Sequence, residues 1–155
     1  MASLSRLGNG GLLWLLLAGG LLLYRPTRRQ GLEVLLALAL EVLLCNILLK
    51  PWLARPRPFW LRPDMELLLA PPTDFSFPSG HTAAAFAVAG ALQWQKSPLS
   101  RPILLLAVFM GFSRLYLYVH FPTDVLGGVL LGLACGVLAS ALSCRIFKET
   151  NNQGA

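Results

Sequence analysis

The chain's two histidines, His81 and His120, together with Lys50, Arg57, Arg114 and Asp124, are the residues whose types and spacing suit one shared reaction. They fall in three short islands: Lys50 followed by Arg57-Pro58, then Phe77-Pro78-Ser79-Gly80-His81-Thr82, then Ser113-Arg114 with His120 and Asp124. Three fixed cations, two of them arginines with planar forks, match the oxygens of a phosphate and the charge that spreads over them during transfer. A helix opening near Gly80 would aim the backbone N–H groups of Gly80 and His81 at such an anion. Gly80 permits close backbone approach and the Ser79 hydroxyl can donate. The imidazoles supply what a cradle lacks, because one can attack phosphorus while the other protonates the leaving alkoxide. Asp124, four residues beyond His120, can hold one ring nitrogen as N–H and leave the other its lone pair. His81 has no such acid near it in sequence, so it is the better proton donor.

Taken singly, each island has a plainer explanation. Lys50, Arg57 and Arg114 could snorkel to lipid headgroups, and Ser79 and Asp124 could be helix N-caps. Their convergence on one expected membrane face is what favours chemistry.

The elements that must position these residues are apolar. The chain has 155 residues, 55% hydrophobic and only 13% charged, whereas a soluble domain is about a quarter charged. A soluble enzyme, a disordered tail and a disulfide scaffold are disfavoured, and a single integral membrane domain over residues 1–155 is expected. Apolar stretches run over about Leu7–Tyr24, Leu32–Leu53, Ser79–Trp94, Pro102–Tyr118 and Val125–Phe147. They predict an all-α, polytopic membrane bundle of about five transmembrane helices, the third short at roughly 24 Å. Basic residues follow the first stretch rather than precede it, which speaks for a retained span.

Five crossings sort the loops into two sets. One carries Arg25, Arg28, Arg29, Lys96, Arg101, Arg145 and Lys148; the other carries Arg6, about 54–78 and 119–124, with Asp64, Glu66, Asp74 and Asp124. The positive-inside rule turns the first set to the cytoplasm and the three islands outward. Trp52, Trp60, Trp94, Tyr24, Tyr116 and Tyr118 sit near span ends, where aromatic rings meet headgroups. A short apolar piece, Met65–Ala70, is expected at the membrane surface. The net charge of +6 suits anionic headgroups or a phosphorylated substrate rather than nucleic acid in so apolar a chain. Cys45, Cys135 and Cys144 lack metal-site or redox spacing and read as packing residues. Gly128, Gly132 and Gly136 give the last span a groove for another helix, either within the monomer or in a second copy as a homodimer. Glu33 is expected near the interface, whereas Glu41 lies deeper and is a candidate for a functional or network role.

Read as Lys50-x6-Arg57-Pro58, Pro78-Ser79-Gly80-His81 and Ser113-Arg114-x5-His120-x3-Asp124, the islands resemble the three-part signature of the type 2 phosphatidic acid phosphatase (PAP2) superfamily. That group also contains the vanadium haloperoxidases. The resemblance covers about residues 32–147 and implies a small bacterial membrane lipid phosphatase with its site at the outer face of the cell membrane. It implies that His120 forms a phosphohistidine, Asp124 orients it and His81 protonates the leaving group. Lys50, Arg57, Ser79, Gly80 and Arg114 would hold the phosphate, and no metal or cofactor would be needed. Many membrane members have six spans, one more than the count here. Among the substrates the resemblance allows, the compact chain points to undecaprenyl diphosphate, the cell-wall carrier. Phosphatidic acid and phosphatidylglycerophosphate are alternatives, as are phosphoryl transfer to a lipid acceptor and mere binding of a lipid phosphate.

Overall fold

The computed structural model describes residues 11–62, 64, 67–68 and 70–153, with side chains as far as Arg145. Arg6, the start of the first apolar stretch, and Met65, Glu66 and Leu69 of the expected surface piece lie outside the described residues. Among the described residues all regular structure is helical. Helix α1 is Leu12–Leu23 and α2 is Arg28–Glu41; α2 continues through a π-helical segment, Val42–Leu49, into the short α3, Lys50–Leu53. Helices α4 (Gly80–Trp94), α5 (Ser100–Tyr116) and α6 (Pro122–Gln153) complete the bundle. Each apolar stretch read from the sequence therefore holds a helix. Two runs, Arg25–Leu61 and Pro122–Arg145, are long and apolar enough by themselves to cross a bilayer, and α1 is a shorter apolar helix.

Helix α4 is the centre. Every residue from Thr82 to Leu92 is buried, as expected of a helix that is apolar all round. Its alanines let neighbours come close, and α6 uses this fully. A Cβ on Gly132 would stand 2.3 Å from the Ala83 carbonyl oxygen, and one on Gly136 2.4 Å from that of Ala87. Only glycine allows such an approach, and in lipid it is close packing of this kind that holds helices together. Of the two uses expected for the Gly128, Gly132 and Gly136 face, the intramolecular one is realised: α4 occupies it, so that face is not free to form a homodimer.

The α1–α2 hairpin closes at Gly31, where a Cβ would meet Leu22 and the Ala18 carbonyl at under 3.0 Å. The Thr27 hydroxyl donates to the Leu21 carbonyl at 2.8 Å, satisfying one of the carbonyls left open at the end of α1. The Ser97 hydroxyl donates to the Gln30 side chain at 3.1 Å. That bond puts the α4–α5 turn at the same end of the bundle as the start of α2, as the sorting of loops requires. Glu33, expected near the interface, lies close to the start of α2, buried within the bundle and paired with the half-exposed Arg29 at 2.8 Å, one helical turn earlier.

Candidate active site

At the other end of the bundle the three islands meet. Ala54 adopts a left-handed φ of 44° after α3 and turns the chain back on itself, a conformation that costs a non-glycine residue about 1–2 kcal/mol. The segment that follows carries Arg57 into the interior, where it is only 2% exposed. Its guanidinium donates to the Val119 carbonyl at 2.8 Å, to the Asp74 carbonyl at 2.7 Å and to the Asp74 carboxylate at 2.7 Å. It also lies 3.2 Å from Nε2 of His120. A guanidinium can only donate, so Nε2 is the acceptor and presents its lone pair to the cations. The ring proton is then on Nδ1, which faces Asp124 Oδ2 at 3.5 Å, longer than an ordinary hydrogen bond. Burial holds the His120 imidazole below its ordinary pKa of 6.5, helped by Arg57 and Lys50 and opposed by Asp124.

Asp124 lies in the first turn of α6, two residues inside the helix rather than at its N-cap. Pro122 is the first residue of α6, which suits a ring with no N–H to offer. Two residues on, the Asp124 carboxylate turns back to accept the Phe121 N–H at 2.8 Å, half of a capping box. The same carboxylate accepts from the Ser76 hydroxyl and from Arg55 Nη1, the latter at 2.6 Å. Arg55 also donates to the Thr123 hydroxyl at 2.6 Å and lies 4.3 Å from the centre of the Phe121 ring.

Lys50 is buried and pairs with Asp74, whose other oxygen is held by Arg57. Burial opposes ionisation of Asp74, but these two cations outweigh it and keep the carboxyl below its usual range. Ser79 precedes α4, yet its hydroxyl makes no backbone cap; it pairs with the Thr82 hydroxyl at 3.0 Å. Its N–H donates to the Asp124 carbonyl at 3.0 Å, tying the starts of α4 and α6 together. Gly80 faces Lys50, whose Nζ would lie 3.5 Å from a Cβ placed there. Arg114 is buried at the end of α5, with Nε and Nη2 donating to Ser113 Oγ at 3.2 and 3.1 Å. His81 is half-buried on the wall of a cavity of about 640 Å³. The charges of Arg114, Lys50 and Arg57, and His120 itself, lie within electrostatic reach of it.

All eight residues singled out in the sequence thus gather at one end of the bundle. Three further groups, Arg55, Asp74 and Ser76, join them unannounced. The repeated Arg-Pro-Arg-Pro at 55–58 was a usable sign of the first; Asp74 and Ser76 depend on the path of the loop. Among the described residues no group of three or more His, Cys, Asp or Glu side chains is arranged to hold a metal ion.

Comparison with known proteins agrees with this architecture. Residues 30–147 match the model of the PAP2 superfamily. The chain is 34% identical over 134 residues to an undecaprenyl-diphosphatase of Sulfolobus acidocaldarius, covering 85% of this chain but only 64% of that protein's length. Among solved structures it resembles Aquifex aeolicus LpxE, with a TM-score of 0.76 at 36% identity over 89% of this chain and 81% of that one. It also resembles a transmembrane PAP2-type phosphatidylglycerolphosphate phosphatase from Bacillus subtilis, with a TM-score of 0.73 at 34% identity over 94% and 76% of the two chains. The chain belongs to the PAP2 superfamily, and its all-α fold and long apolar helices make it a membrane protein of that group.

Proposed function

We propose that the chain hydrolyses a lipid phosphate or diphosphate without a metal, through a phosphohistidine on His120. The observation that carries this reading is the His120 ring itself, with Nδ1 turned to Asp124 and Nε2 turned to Arg57 among buried cations. Nε2 attacks phosphorus, the phosphorus–oxygen bond to the lipid breaks, and His81 delivers its proton to the departing oxygen. Water then attacks phosphorus, the phosphorus–nitrogen bond breaks, and His81 takes the water's proton. Lys50, Arg57, Arg114, the Ser79 hydroxyl and the N–H groups at Gly80 and His81 hold the equatorial oxygens and their developing charge. His81 opens on the cavity, so the leaving lipid goes there.

The bundle crosses the cell membrane about five times with the site outward, a reading supported by the loop charges. Two substrates have support: undecaprenyl diphosphate from the Sulfolobus relative, and a glycerolipid phosphate from the Bacillus structure. The test is a panel of lipid phosphates assayed in detergent micelles with wild type and His120→Ala. Wild type should release inorganic phosphate without an added acceptor and in the presence of EDTA. His120→Ala should lose activity by about 1000-fold or more, and acid-labile label should appear on wild type alone. Near wild-type turnover by His120→Ala, or strict dependence on a lipid acceptor, would overturn the hydrolase mechanism.

A further inference from the structure

Asp124 is buried beside His120, yet its charge is not given over to the ring. Its Oδ1 accepts from Arg55 Nη1 at 2.6 Å, while Oδ2 accepts from the Ser76 hydroxyl and, at 2.8 Å, from the Phe121 N–H. His120 Nδ1 stands 3.5 Å from Oδ2 and is left buried without a hydrogen-bond partner. An orphaned buried donor is costly, so stronger contacts must be holding the carboxylate off the ring.

Arg55 is the centre of that hold. Its backbone carbonyl accepts the Ser76 N–H at 2.9 Å, so Arg55, Ser76 and Asp124 close a ring of three contacts. Its guanidinium also donates to the Thr123 hydroxyl and lies over the Phe121 ring, which fixes it against the start of α6. The charged groups around His120 are Arg57 from the segment that Arg55 shares, Lys50 from α3, His81 from α4 and Asp124 itself. Asp74 is committed to Lys50 and Arg57, and Arg114 acts on His81 from α5. Among the described residues Asp124 is thus the carboxylate that faces the ring, and Arg55 is the cation paired with it.

We infer that Arg55 is a positioning residue for the nucleophile: by holding Asp124 through its far oxygen, it limits how strongly that carboxylate pairs with His120. The guanidinium takes up part of the carboxylate's charge, and Ser76 occupies the oxygen that Nδ1 would otherwise approach. The imidazole consequently stays neutral, with the Nε2 lone pair free to attack. Once Nε2 has bonded to phosphorus the ring is cationic, and the pull of Asp124 on the Nδ1–H then rises. The inference rests on the proposed phosphatase reading and concerns how its nucleophile is kept ready. Arg55 does not line the cavity beside His81, so it acts through Asp124 rather than on the lipid.

The test is the pH dependence of kcat/KM for phosphate release from a short-chain diacylglycerol phosphate in detergent micelles. Arg55→Gln keeps a donor to Asp124 but removes the charge, and at 36% exposure the site accommodates the change. Asp124 then turns to His120 and favours the protonated ring, so the acid limb should move up by about one pH unit. Ser76→Ala frees Oδ2 and should move the limb in the same direction by less, whereas Arg55→Lys should return it most of the way to wild type. The position of the limb does not depend on how much protein folds, and a purely structural defect would lower kcat without moving it. A limb that neither Arg55→Gln nor Ser76→Ala moves would overturn this inference alone, and a raised KM beside it would make Arg55 a phosphate ligand instead. No phosphate release by wild type would overturn it together with the phosphatase reading.

Discussion

The two sides of the candidate site are built on opposite principles. His81 and Asp124 stand at the first turns of α4 and α6, two helices locked backbone to backbone through Gly128, Gly132 and Gly136. Lys50 and Arg57 instead stand at the start of the short α3, just past the π-helical segment, and on the irregular stretch that follows, and they are held by a carboxylate, Asp74, that is half-exposed. On one side position is fixed by packing, which cannot yield without a clash. On the other it is fixed by ion pairs, which an incoming anion can replace. Under the proposed mechanism, the contrast teaches that the reacting groups are set before substrate arrives, whereas the cations proposed to hold phosphate are kept company until it does.

The largest test of this difference is to part the packed side. Gly132→Val should cost about 3 kcal/mol by overpacking, read as a fall in the detergent-solubilised unfolding midpoint, and should abolish turnover by separating His81 from His120. Gly20→Ala in α1 meets nothing within 4 Å and should leave the midpoint unchanged or slightly raised. Equal effects would mean that the α4–α6 contact has no special part in the site.

A smaller effect is expected on the tethered side. Asp74→Asn removes the charge that competes for Lys50 and Arg57, so vanadate, a mimic of phosphate in transfer, should inhibit about five-fold more tightly, the gain of a charge-assisted contact. Weaker inhibition would mean that Asp74 serves to arrange the two cations rather than to occupy them.

The smallest effect is in the pH profile. Under the proposed mechanism His120 must be neutral to attack, and burial holds its imidazole below 6.5, so the base form persists to lower pH than in a free imidazole. The acid limb of kcat/KM should therefore lie below pH 6.5. Asp124→Asn removes a group that raises the His120 value and should shift the limb further down while lowering kcat. A limb above 6.5 would place the controlling proton elsewhere.

The cluster proposed to react was legible in the sequence because its chemistry is written in residue types. Two histidines, three cations and an acid in a chain this apolar have few other uses. The helices were legible for the same reason, since each is a long run with little to interrupt it. What could not be read arises from paths and registers. Asp74 reaches Lys50 and Arg57 only through the course of the loop before α4. Val42–Leu49 has the same apolar composition whether wound as α or π, so nothing in it announced that Glu41 and Asn46 would both line the cavity beside His81.

The cavity beside His81 has one further consequence. Leu43 and Ile47 border it and are 45% and 60% exposed, so in the proposed membrane placement this wall meets the surrounding acyl chains, while the half-exposed Asp74 lines the cavity towards the proposed outer face. Under the proposed chemistry the dephosphorylated lipid withdraws laterally within its own leaflet and inorganic phosphate escapes upward into solution. The two products part at right angles, and neither obstructs the other's departure.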